Sequence, residues 1–193
     1  MMHEHTHSPA TDKVTFGFWV YLMSDCVLFA GLFATYAVLH TSTFGGPVIA
    51  GIVNLPYVLA ETLLLLTSSF TMGIALLATQ QNKKTLVLGA LCVTLVLGLA
   101  FLGMEVSEFR HLISEGAGPN RSAFLSAFFT LLGTHGLHVG LGAIWMMLVI
   151  AHVAYKGLNT STNTKLACLA LFWHFLDIIW ICIFTFVYLF GAL

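Results

Sequence analysis

Residues 124–154 read FLSAFFTLLGTHGLHVGLGAIWMMLVIAHVA, a stretch without one Asp, Glu, Lys or Arg. As a helix it would be roughly 46 Å long at about 1.5 Å per residue. Bilayer hydrocarbon is about 30 Å thick, so the segment crosses it if it tilts or projects beyond it. A soluble fold has no place for such a run. Working outward, Leu166–Phe190 follows it, and Thr85–Met104, Pro56–Thr79 and Phe16–Leu39 precede it. Each approaches or exceeds the about 20 residues that a helix needs to cross. The first run is too long for the apolar core of a signal peptide, and the polar, histidine-containing start before it lacks that signal's basic character.

Composition agrees. Of 193 residues, 59% are hydrophobic and 8% charged, against about 25% charged in a soluble domain. Mean hydropathy is +0.94. A net charge of −1 excludes a nucleic-acid binder held by phosphate contacts and a polybasic membrane-surface protein. The expected fold is therefore an all-α bundle of five transmembrane helices, with a polar tail over residues 1–15 and one membrane domain over 16–193.

Pro9, Pro47, Pro56 and Pro119 all avoid span interiors, which predicts unbroken helices. Small pairs such as Ala30/Ala34 and Gly136/Gly140 are spaced for close helix approach. With five spans, Lys13, Lys83, Lys84, Lys156 and Lys165 share one side, while Arg110 and Arg121 share the other. That asymmetry predicts a cytoplasmic N-terminus and a periplasmic C-terminus. Cys26, Cys92, Cys168 and Cys182 fall in apolar runs without a CxxC spacing and read as small buried apolar residues. His3, His5 and His7 in the tail form at most a weak metal site.

The informative residues are ionisable groups at membrane depth. An acid at a helix centre costs roughly 2.5–3.5 kcal/mol on insertion scales, so each calls for a partner or a task. Asp25 falls near the middle of span 1, His135 and His138 in span 4, and His174 and Asp177 in span 5; Glu61 is shallower in span 2. The pairs His135/His138 and His174/Asp177 are spaced i, i+3, so each shares a helix face directed at protein rather than lipid. Three readings compete: polar packing between helices or against a partner subunit, haem ligation through His138 and His152, and proton or cation transport by the chain alone. The haem reading lacks a matching histidine pair on a second helix. The transport reading lacks the repeats and discontinuous helices usual in transporters.

Five motifs in order carry a resemblance: GFWVYLMSD (Gly17–Asp25), ETLLLLTSS (Glu61–Ser69), GMEVSEF (Gly103–Phe109), GTHGLHV (Gly133–Val139) and FWHFLDIIW (Phe172–Trp180). Together they resemble subunit III of the haem–copper respiratory oxidases, from Phe16 to the C-terminus. The five-span length and the SerAsp form at Asp25 are similar to the bo-type ubiquinol oxidase branch. Five-span subunits of bacterial cytochrome c oxidases are the alternative.

The resemblance implies a chain of a proton-pumping complex in the bacterial inner membrane that oxidises ubiquinol and reduces dioxygen to water. It implies haems and copper in subunit I, with no catalytic, cofactor or metal site in this chain. It also implies bound phospholipid, main contacts with subunit I, and subunits II and IV in the same complex. Asp25, Glu61, Glu105, Glu108, His135, His138, His174 and Asp177 match the family's membrane acids and histidines, and become candidates for polar packing, lipid binding or support of proton uptake. A cleft between spans 1 and 2, holding Asp25 and Glu61, is expected to order lipid, with Trp19 near headgroups.

Overall fold

The computed structural model describes residues 9–42 and 54–192; His3, His5 and His7 lie outside them. Five helices account for nearly all of these residues: α1 Pro9–Leu39, α2 Leu55–Gln80, α3 Lys84–Ser114, α4 Ala123–Lys156 and α5 Thr160–Ile183. All five are long and apolar enough to cross a membrane, and no strand occurs among the described residues.

Local chemistry sets the ends. Pro56 sits in the first turn of α2, where its missing N–H costs nothing. Ser122 caps α4 by accepting from the Leu125 amide at 3.1 Å, and Asn159 caps α5 by accepting from the Thr162 amide at 2.8 Å. Gly157, at φ 71°, turns the chain out of α4 in a conformation that glycine adopts without strain.

Two boundaries differ from the hydropathy reading. Helix α3 continues past Met104 to Ser114, because Glu105, at 2% exposure, is buried rather than at a surface where the apolar run ends. No proline interrupts α5, yet its last part widens into a π-helical turn, Phe184–Leu189. The Thr185 hydroxyl donates to the Ile181 carbonyl at 2.8 Å there, and the turn places Val187 and Tyr188 fully inside.

Helix α2 packs along α3, α4 lies against α3 and α5, and α5 closes the bundle by also touching α2. Helix α1 rests on α4 and α5. At one end Lys84 Nζ donates to the Ala154 carbonyl at 2.8 Å, tying the start of α3 to the end of α4. The core is aromatic: Phe29, Phe101, Trp173, Trp180 and Tyr188 are all fully buried. Large apolar side chains such as Val27 and Leu148 point outward, as a lipid solvent permits. So do Cys26 and Cys92; only Cys168 is buried, and all four cysteines are free thiols. The expectation of four buried cysteines fails because a small apolar side chain suits lipid as well as core.

Glycines set the closest approaches. A Cβ on Gly98 would stand 2.7 Å from the Trp173 ring, and that ring is held by its Nε1–H donating to Ser68 Oγ at 2.9 Å. Along α4, Gly133, Gly136 and Gly140 receive Phe109, Glu105 and Leu102 of α3 in turn. We expect Gly98→Ala to destabilise the folded subunit by about 1–3 kcal/mol, the usual cost of overpacking. Gly103→Ala, where nothing lies within 4 Å, should be neutral or stabilising by up to about 1 kcal/mol through helix propensity. Thermal unfolding in detergent, followed by tryptophan fluorescence, distinguishes the two.

Candidate functional site

The eight ionisable candidates separate into three groups. In the first, α1 meets α4: Asp25 Oδ2 lies 3.8 Å from His138 Nε2, beyond hydrogen-bond length, and has no hydrogen-bond partner. The other ring nitrogen, Nδ1, is 2.8 Å from the Thr134 carbonyl. A carbonyl only accepts, so Nδ1 carries a proton and Nε2 is the edge presented to the carboxyl. Phe29 packs on the same imidazole, with ring centroids 5.3 Å apart.

The i, i+3 neighbour of His138 behaves differently. His135 is completely buried, and neither of its nitrogens has a partner. Its ring stacks on Trp180 at 5.3 Å and meets the edge of Phe101 at 6.0 Å. Although the sequence puts both histidines on one face, only His138 reaches an acid.

In the second group, His174 and Asp177 of α5 share a face, as their spacing predicts, and meet Ser69 of α2. The Ser69 hydroxyl lies 2.7 Å from His174 Nδ1, while Asp177 Oδ1 is left without a partner. Two more bonds stitch the same helices: Trp173 Nε1–H donates to Ser68 Oγ at 2.9 Å, and Trp180 Nε1–H to Thr62 Oγ1 at 3.1 Å. Thr62, Ser68, Trp173 and Trp180 are polar participants without an ionisable group, and so carry no charge signal in the sequence. Their signal is present as spacing, since Trp173 and Trp180 are seven residues apart, two helical turns, and Thr62 and Ser68 are six apart, close to the same rise.

The third group lies where α2, α3 and α5 meet. Glu61 is fully buried and Glu105 nearly so, and neither carboxyl has a hydrogen-bond partner. Glu61 lies within electrostatic reach of both Glu105 and Glu108. Glu108 accepts from the Tyr188 hydroxyl at 3.2 Å, and the Tyr57 hydroxyl donates to the Met104 carbonyl at 3.1 Å. Asp25 and Glu61 thus have different neighbours and do not share a cleft between the first two spans. The reason is topological: α1 packs on α4 and α5, whereas α2 packs on α3 and α5. Trp19 is part-exposed on α1.

Among the described residues, no group of three or more His, Cys, Asp and Glu side chains is placed to hold a metal ion. The arrangement ties helices to one another and keeps titratable groups away from lipid.

Comparison with known proteins identifies the lineage of this design. The family model for cytochrome c oxidase subunit III matches residues 1–192. The cytochrome bo(3) ubiquinol oxidase subunit 3 of Pseudomonas aeruginosa is 57% identical over 191 residues, covering 99% of this chain and 91% of the relative. The subunit of the same name from Buchnera aphidicola of Acyrthosiphon pisum is 46% identical, covering 97% and 92%. A probable quinol oxidase subunit 3 of Staphylococcus epidermidis is 41% identical, covering 96% and 92%.

The Ser69–His174 contact should show as energetic coupling. Ser69→Ala, His174→Ala and the double variant should give non-additive losses in thermal unfolding. The coupling expected is about 0.6 kcal/mol, and at most about 1.7 kcal/mol, the range measured for interhelical polar pairs in a bilayer. Strict additivity would mean that the two side chains do not support one another.

Proposed function

The chain belongs to the cytochrome c oxidase subunit III family, and from that premise we propose that it is the third subunit of a bacterial bo-type ubiquinol oxidase. The complex oxidises ubiquinol, reduces dioxygen to water and pumps protons across the inner membrane. Haems and copper belong to subunit I, and this chain does no redox chemistry of its own. Kinship with quinol oxidase subunits over nearly its whole length carries the reading.

The geometry supports an accessory role. Several polar side chains tie helix to helix: Ser69 with His174, Thr62 with Trp180, Glu108 with Tyr188. Such bonds make a stiff helical slab, and a stiff slab is suited to brace a larger neighbour. We infer that the chain stabilises subunit I as its main contact, in a complex that also holds subunits II and IV. Phospholipid fills its apolar outer surface. The lysine-bearing end faces the cytoplasm, by the asymmetry of basic residues. Asp25 and His138 support proton uptake by the catalytic neighbour, as a carboxyl and an imidazole edge 3.8 Å apart at membrane depth.

Depletion of this subunit from the purified oxidase tests the proposal. Initial oxygen turnover should stay largely intact, followed by loss of activity during continued turnover that reconstitution with the subunit prevents. Immediate loss of haem on depletion, or a pigmented preparation of the chain alone, would contradict it.

A further inference from the structure

Beside their contact, α3 and α4 enclose a trough of about 520 Å³ that opens sideways. Its α4 wall is cut back at Gly133, Gly136 and Gly140, and Val106, Leu137 and Leu141 stand exposed along it. An apolar trough alone shows no preference for protein, since lipid tails are as apolar as leucine.

One side chain breaks that indifference. Glu105 lines the trough, is 2% exposed, and has no hydrogen-bond partner on either carboxyl oxygen. Its carboxyl lies over Gly136, where a Cβ would come within 2.7 Å of Oε2. The absent side chain at that position is therefore what admits the carboxyl to the α4 wall. An acyl chain offers no donor, and an unpartnered carboxyl surrounded by hydrocarbon is costly. Glu108, one turn along α3, has its donor in Tyr188; Glu105 has none among the described residues.

We propose that the trough seats a transmembrane helix of a neighbouring subunit, whose amide or hydroxyl side chain bonds Glu105 once the carboxyl turns out of the Gly136 notch, a side-chain shift of the kind common at interfaces. The inference rests on the reading of this chain as one subunit of a larger oxidase, and adds the surface and the chemistry of one contact. The incoming helix packs on the exposed Val106, Leu137 and Leu141, and the donor fixes its depth.

Photo-crosslinking in native membranes tests this, with benzoylphenylalanine placed at Leu137 or Leu141. Both side chains are exposed in the isolated chain, so the probe leaves the fold intact. Both positions should yield an adduct with one other polypeptide of the complex. Adding Glu105→Leu should lower adduct yield about threefold, the worth of an average interhelical hydrogen bond in a bilayer. Glu105→Gln, which still accepts through its amide oxygen, should retain the yield. Adducts with lipid alone, adducts with a second copy of this chain, or no protein adduct overturn the proposal. Co-purification of the haem-containing subunits, scored on the same membranes, separates the outcomes. If they are retained but no helix is captured, the trough assignment alone fails; if they are absent, the subunit reading fails as well.

Discussion

Hydrocarbon supplies neither donors nor acceptors, and this one constraint organises the molecule. Backbone groups are satisfied within helices, and a polar side chain at that depth gains by finding its partner within the protein, on its own helix or on another. Helices α2 and α5 meet it with a seam in fixed register: Thr62 with Trp180, Ser68 with Trp173, Ser69 with His174. From Thr62 to Ser68 and Ser69 on α2 the partners on α5 run back from Trp180 to Trp173 and His174, as two antiparallel rods require. A shift of one turn would part both indoles and the imidazole from their hydroxyl partners. The seam thus specifies alignment as well as attraction.

A second constraint follows from the same solvent. Apolar burial gives little net drive between helices in lipid, so contact must come from closeness. Leu102, Glu105 and Phe109 on α3 lie on one face at offsets of three and four residues, and α4 answers with Gly140, Gly136 and Gly133. Gly98 and Gly142 do the same for the rings of Trp173 and Phe172. Here glycine is used for its missing side chain rather than for unusual backbone angles, since all five lie in regular helix.

Much of this was legible in the sequence, but unevenly. The spans stand out because length and polarity are one-dimensional properties, and the i, i+3 face of His174 and Asp177 survived because it is local to one helix. What could not be read were partners. Nothing within span 5 says that His174 meets Ser69, and nothing within span 4 says that His138 reaches an acid while His135 is sealed among aromatic rings. The end of α3 was misplaced for a related reason: Glu105, Glu108 and Arg110 look like an exit from the membrane until Glu105 is seen buried and Tyr188 is seen bonded to Glu108. The outward cysteines and the widened turn before Tyr188 left no compositional trace.

The Asp25–His138 pair shows how a titratable group is tolerated at such depth. His138 Nδ1 is committed to the Thr134 carbonyl, so only Nε2 faces the carboxyl. With one proton on that edge, the pair is either an imidazolium beside a carboxylate or an imidazole beside a carboxylic acid. Both forms have zero net charge. Moving the proton between them therefore avoids the large cost of an isolated ion in hydrocarbon. His135, three residues away, lacks such a carboxyl neighbour and is instead enclosed by Phe29, Phe101 and Trp180. An acid on a second helix is what sets the two histidines of the face apart, one meeting a carboxyl edge while the other serves as packing.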